Sequence, residues 1–203
     1  MTAGDAQIAA ALAGPGWGVA PGYASAAEVE GLTAALRARE LAGGFRPAAV
    51  GAGARRAVRT QIRGDRIAWL MHEECEAETA LLNRLEALRV ALNQRLLLGL
   101  HDLECHFAIY APGAGYVRHL DRSPQGAERV VSLVLYLNDD WQPGDGGELV
   151  LTTREGERWV EPRAGVLVAF LSEELAHEVR PAHRPRLSLA GWFRRRPLAG
   201  AAR

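Results

Sequence analysis

Apolar positions recur at steps of three and four in two stretches of the first hundred residues, and in short alternating runs after that. Val29, Leu32 and Leu36, with Leu41 beyond, form one face of a segment that Ser25-Ala-Ala-Glu28 opens as a capping box and Gly43-Gly44 closes. Leu81, Leu85, Leu88, Leu92 and Leu96 predict a second helix from about Glu73 to Leu98. Between the helices, a Gly/Ala/Arg-rich stretch with little patterning leads into an alternating segment from Ile62 to Leu70, the pattern of a mobile loop between two strands. After residue 100 come eight short apolar runs: LECHFAIY, GYVRHL, RVVSLVLYLN, GGELVLT, RWVEP, GVLVAFL, AHEVRP and RLSLAGWF. Pro112-Gly113, Pro143-Gly144 and Gly146-Gly147 mark turns between them. This spacing predicts an α+β chain that is mainly β, a β-sandwich or jelly roll with the N-terminal helices packed on one sheet.

Length adds a bound: 203 residues suffice for one domain over 1–203 that buries roughly 70% of its unfolded surface without needing disulfides or structural metal. Within it, about 1–100 would supply helical support and a substrate loop, and about 101–196 the jelly-roll core. Charge then narrows the partners. The 24 basic residues, all Arg, balance 24 acidic ones, so nothing draws the chain toward nucleic acid or an anionic membrane. Cys75 and Cys105 form no CxxC pair and are expected to be reduced, buried thiols of a cytoplasmic protein. The apolar run near the start carries Asp5 where a secretory signal carries positive charge, and Gly14-Pro15-Gly16 ends it; no run reaches the length of a membrane span.

Candidate chemistry centres on GYVRHLDRSP. On a strand, His119 and Asp121 would project from one face with Leu120 turned away, so one metal could take a ligand from each. H-x-D alone is a common coincidence. Its meaning changes with His177 in AHEV and with Arg186 and Ser188 at two-residue spacing in RPRLSLAGW, since a jelly roll can bring separated strand ends to one mouth. Two imidazoles and one carboxylate form the facial triad that leaves three adjacent metal positions open and suits non-haem Fe(II) oxygenases.

With H-x-D, the distal His and the Arg nine residues beyond it, the chain resembles the 2-oxoglutarate- and Fe(II)-dependent dioxygenases. IRGDRIAWL (62–70), GYVRHLD (115–121), LYLNDDW (135–141), GGELVL (146–151), HEV and RPRLSLAGWF narrow this. They are similar to the prolyl 4-hydroxylases of the hypoxia-sensing, egg-laying-defective type and their bacterial relatives. The resemblance implies a double-stranded β-helix with iron held by His119, Asp121 and His177. It assigns Arg186 and Tyr136 to the far carboxylate of 2-oxoglutarate, a contact for which a planar guanidinium fork is apt. Ser188 and Tyr110 join the cosubstrate site, although the segment from Tyr110 to His119 is one residue shorter than the family pattern. Arg129 and Trp192 fall near the substrate prolyl group, and Arg63 and Asp65 would fix a loop of about residues 46–61 that closes over a peptide.

The implied cofactor is Fe(II), with 2-oxoglutarate and dioxygen as cosubstrates and ascorbate as reductant; no catalytic residue beyond the metal site is implied. The implied reaction is 4-hydroxylation of a prolyl residue in a protein, with succinate and CO2 as coproducts and a translation factor as one candidate partner. Alternatives are the same chemistry on a free amino acid, a small molecule or another protein side chain, or a catalytically silent jelly-roll binding module. Outside the pattern, His72, His101, His106 and His183 read as surface or hydrogen-bonded histidines, and Trp69, Trp141 and Trp159 as packing. Arg55, Arg56 and Arg59 read equally as a face toward an acidic substrate or as a solvated loop, and Arg194–Arg196 as a strand end before a frayed tail.

Overall fold

The computed structural model describes residues 2–51, 57–71, 75–121 and 128–196. Along the chain these form α1 (Ala3–Ala13), β1 (Trp17–Ala20), α2 (Ala26–Leu41), β2 (Arg46–Pro47), β3 (Asp65–Trp69), α3 (Glu76–Leu96), β4 (Leu100–Tyr110), β5 (Tyr116–His119), β6 (Glu128–Tyr136), β7 (Leu149–Thr153), β8 (Gly156–Val160), β9 (Leu167–Leu171), β10 (His177–Val179) and β11 (Arg186–Arg195). Two antiparallel sheets result, a large one in the order β1-β9-β6-β11-β4-β3-β2 and a small one in the order β5-β10-β7-β8. All eight runs after residue 100 are strands, and the jelly roll is as expected. The first hundred residues are more than helical support, because β1, β2 and β3 extend both edges of the large sheet.

The helices follow from their caps and faces. Ser25 accepts from the Glu28 amide at 3.3 Å while Glu28 accepts from the Ser25 amide at 2.7 Å, the capping box of α2. Thr2 and Asp5 make the same reciprocal pair at the start of α1, a helix the apolar pattern alone did not disclose. Helix α3 is shorter than expected, starting at Glu76 on a Cys75 cap and ending before Leu97, which is left-handed at φ 53°. Glu73, Glu74 and His72 lie outside the described residues. Cys105 is buried, but Cys75 is only partly so, because its thiol caps the helix instead of entering the core.

Strand parity divides the large sheet between two tasks. Residues 107 and 109 of β4, 131, 133 and 135 of β6, 187, 189 and 193 of β11, and 167 and 169 of β9 join Leu36, Leu85, Leu88 and Leu92 in one buried cluster under the helices. Each such Leu contributes about 1.5–3 kcal/mol by leaving water. Their alternate neighbours point the other way, where Tyr110, Tyr136, Val168 and Phe170 meet Leu149, Leu151 and Val179 of the small sheet. Register then stacks this inner face in rows: Asp65–Tyr110–Arg186, then Ile67–Ala108–Ser188–Tyr136, then Trp69–His106–Ala190–Val134, then Glu104–Trp192–Ser132.

Candidate metal centre and its two cavities

His119 ends β5, His177 begins β10, and the two are register partners, which brings their rings to 4.2 Å between centroids. Strand alternation does not place Asp121, because β5 stops at His119. Its carboxylate is instead drawn in from the large sheet: Oδ2 accepts from Ser132 Oγ at 2.8 Å and from Trp192 Nε1 at 2.8 Å. Ligand-type atoms of His119, Asp121 and His177 all lie within 4.8 Å of one another, close enough to share one ion. His119 Nε2 is 3.4 Å from Asp121 Oδ1, and His177 Nε2 is 3.5 Å from Oδ2.

The donor set fits a divalent cation. His119 Nδ1 lies 2.8 Å from the Val117 carbonyl and His177 Nδ1 lies 3.2 Å from that of Leu175, so each Nδ1–H donates and each Nε2 lone pair turns to the shared point. Burial pushes His177 down to about 4, ahead of the opposing pull of Asp121, and keeps the ring neutral as a ligand requires. Burial works to raise the Asp121 carboxyl, but the imidazoles of His119 and His177 beside it and the hydrogen bond from Trp192 outweigh it and hold the group ionised, well below the usual carboxylate range. Tyr116 stacks on His119 at 3.6 Å and Phe170 meets His177 edge-on at 4.6 Å, fixing both rings.

Two cavities meet at this point. The inner one runs between the sheets to Tyr110, Ser188 and Arg186. Arg186 is 2% exposed; its Nε donates to the Gly147 carbonyl at 2.8 Å and its Nη1 to Ser188 Oγ at 3.2 Å. Gly147 has φ +72°, and a Cβ there would come within 3.2 Å of Arg186 Cδ and 3.0 Å of Ala182 Cβ, so a side chain at 147 would crowd the guanidinium. Arg186 Nη2 and the Tyr136 hydroxyl, both buried, have no hydrogen-bond partner among the described residues. Burial pushes the Tyr136 phenol up to about 12 against the pull of Arg186, so it remains a donor. Two unmet donors beside an uncompensated guanidinium fit an incoming carboxylate.

The outer cavity opens past Val50, Trp69, His106 and Arg129 and shares His119, Asp121 and Trp192 with the inner one. Arg63 grips Asp65 with Nε at 2.7 Å and Nη2 at 2.9 Å, and its guanidinium lies 5.1 Å from the Tyr116 ring. The Asp65 carbonyl accepts from the Ala48 amide, which ties the pair to the start of the 46–61 segment; residues 52–56, with Arg55 and Arg56, lie outside the described residues. Arg129 is laid over the Trp192 ring at 3.6 Å and bound to Glu104 at 2.8 Å.

A family model described as the 2OG-Fe(II) oxygenase superfamily matches residues 105–194, a span that contains all three ligand-type residues and Arg186. A prolyl-4-hydroxylase of Pseudomonas putida is 47% identical and superposes with a TM-score of 0.87 over 95% of this chain and 100% of that one. The chain belongs to the 2OG-Fe(II) oxygenase superfamily. A Trichoplax adhaerens prolyl hydroxylase, solved in complex with a hypoxia inducible factor oxygen degradation domain peptide fragment, is 28% identical with a TM-score of 0.85, over 94% of this chain and 88% of that one. Human Egl nine homolog 1 is 33% identical over 143 residues, 65% of this chain; the chain spans only 33% of that curated relative.

The expected site residues lie around the two cavities except Tyr136, which is fully buried with its ring 5.1 Å from the Arg186 guanidinium. Some contacts had no sequence signal. Ser132 lies in an apolar strand, and only register reveals its bond to Asp121. Tyr116 stood inside GYVRHLD without a role, and the Gly147 carbonyl carries no side chain to notice. His106 takes the hydrogen-bonded alternative: it is buried on the groove wall with Nδ1 3.1 Å from the Phe107 carbonyl, between Trp69 at 5.0 Å and Trp192 at 5.5 Å. Trp141 is buried, Trp69 forms the groove rim, but Trp159 is 56% exposed on the small sheet and packs no core. Residues 197–203, expected as a frayed tail, lie outside the described residues. Among the described residues no helix is long and apolar enough to cross a membrane.

Proposed function

We propose that this oxygenase hydroxylates a prolyl residue of a protein or peptide at the 4-position, using Fe(II), 2-oxoglutarate and dioxygen, with ascorbate as reductant. The observation that carries the reading is the pair of orphaned donors, Arg186 Nη2, on a side chain that lines the same cavity as the His119–Asp121–His177 cluster, and Tyr136 Oη, whose ring lies 5.1 Å from that guanidinium. That layout suits a dicarboxylic acid held at one end by charge and at the other by a metal.

When bound, the metal and cosubstrates supply oxidation: 2-oxoglutarate leaves as succinate and CO2, and one oxygen atom enters a substrate C–H bond. The chain supplies position. His119, Asp121 and His177 would hold the metal from one side, with Ser132 and Trp192 pinning Asp121 Oδ2. Arg186 and Tyr136 would hold the far carboxylate, Ser188 would set the tilt of the guanidinium, and Tyr110, 5.3 Å from that guanidinium at its ring centroid, would close the wall. Leu149, Val179 and Phe170 exclude water. The outer groove, walled by Trp69 and Arg129 and overhung by the 46–51 segment, would admit the substrate chain. A translation factor in a reducing cytoplasmic compartment is the candidate partner, supported by the resemblance to bacterial relatives.

The reading is tested by incubating cell lysate with the enzyme, Fe(II), 2-oxoglutarate and oxygen, and mapping residues that gain one oxygen atom. Prolyl sites that are labelled by the wild type and lost in Asp121→Asn are the expected result. Succinate formation with oxygen gained only on other side chains or on small molecules would replace the prolyl assignment. A wild type that binds iron but makes no succinate would favour a silent binding module.

A further inference from the structure

Arg129 and Trp192, which the resemblance puts near the substrate prolyl group, are both already engaged. Trp192 Nε1 donates to Asp121 Oδ2 at 2.8 Å, and the Arg129 guanidinium lies 3.6 Å from the indole ring. Arg129 in turn is held on both sides of its fork by Glu104 Oε1, Nε at 2.8 Å and Nη2 at 2.7 Å. The second oxygen of Glu104 accepts from Arg194 Nη1 at 3.0 Å, and Arg194 closes the ladder on Asp102 at 2.8 and 2.9 Å. A continuous path of contacts therefore runs from the rim of the outer groove to the carboxylate of the metal centre.

The geometry points to Glu104 as a positioning residue for the metal site: by holding Arg129 flat on Trp192, it fixes the indole N–H on Asp121 Oδ2 and so leaves Oδ1 as the oxygen presented to the ion. Two physical effects act together. The Glu104 bridge sets the plane of the guanidinium, which a freely rotating arginine would leave within picoseconds to nanoseconds. A cation on the ring face also draws electron density from the indole and makes its N–H a stronger donor. With Ser132 on the same oxygen, Oδ2 carries two donors and a single oxygen is left for the metal. Arg194 matters to the arrangement because it shares Glu104 and keeps that carboxylate from rotating toward solvent. The inference rests on reading His119, Asp121 and His177 as the metal ligands.

The probe is Co(II), whose visible absorption reports its coordination, with the indole proton resonance of Trp192 in the metal-free protein as an independent readout. Glu104→Ala is expected to weaken Co(II) binding about 3- to 10-fold, below the 10- to 100-fold typical of groups bonded directly to a ligand, and to change the absorption spectrum. It should also move the Trp192 indole resonance upfield. Glu104→Gln, which keeps one acceptor and nearly the same volume, should fall between and decides the matter if the alanine variant does not fold. In a Trp192→Phe background the Glu104→Ala effect on Co(II) should shrink to less than about twofold, as a double-mutant cycle requires of two groups acting through one contact. Wild-type affinity, spectrum and indole resonance in both Glu104 variants would overturn the assignment, as would an effect undiminished by Trp192→Phe. Failure of the wild type to bind Co(II) would instead remove the metal reading of the triad, while the indole resonance would still decide whether Glu104 orders Trp192.

Discussion

The two cavities that meet at His119 and Asp121 treat charge in opposite ways. In the inner one, Arg186 has no carboxylate partner: two of its nitrogens go to neutral acceptors and the third to none among the described residues. In the outer groove, Arg63 is matched by Asp65, and Arg129 by Glu104. A buried, unmatched cation costs several kcal/mol, so a fold keeps one only where something else completes it. On the proposed reading the inner pocket is completed by an anion that arrives with the cosubstrate. Among the described residues the outer groove pairs its arginines Arg63 and Arg129 with carboxylates, which leaves shape, apolar surface and hydrogen bonds to hold substrate on the same reading.

The sharpest way to break this contrast is Arg186→Leu. Loss of one member of a buried charge pair removes about 2–5 kcal/mol, so 2-oxoglutarate should bind roughly 30- to 4,000-fold more weakly while Co(II) affinity stays within about twofold. Calorimetric titration of the Co(II)-loaded protein measures both; a loss below tenfold would mean the guanidinium is not the anchor. Tyr136→Phe removes a single donor and should cost about 1–2 kcal/mol, or about 5- to 30-fold in the same titration.

Smaller effects test the outer groove. Burial pushes His106 down to about 4, ahead of the further lowering by Arg63. The unfolded chain takes up a proton near pH 6.5 that the folded ring refuses until about 4, so stability falls as pH drops through that window. His106→Leu should remove about 1–2 kcal/mol of this loss at pH 5, seen as a melting temperature that declines less than that of the wild type between pH 7 and 5. Equal declines would mean that the ring titrates in water. Arg129→Leu should change 2-oxoglutarate affinity least of all, within about twofold, since Glu104 retains Arg194. A large loss there would erase the distinction between the cavities.

Local order was legible wherever a period or a cap repeats. The capping box at Ser25, the leucine ladder of α3 and the eight strands after residue 100 follow from backbone geometry that neighbouring residues express together. Helix α1 had the same cap in Thr2 and Asp5, but its face, Ile8, Ala9 and Leu12, is too small and too uniformly apolar for periodicity to announce it. Motif order alone, through the resemblance, singles out His119, Asp121, His177 and Arg186.

By itself the sequence determined the inventory: which residue types are present, on which strands, and with what parity, because alternation on a strand is a local property. Only the tertiary structure decided how that inventory is wired. The spacing of H-x-D suggested two ligands on one strand face, yet β5 ends at His119, and Asp121 is held by Ser132 and by Trp192, 71 positions away. Arg129 faces Trp192 and Glu104 because β6, β11 and β4 lie side by side in a register that no local pattern states. Hydrogen bonds and ion pairs act over about 3 Å, so the partners of a buried polar group are set by which strands become neighbours, and that is a choice made by the whole chain's packing.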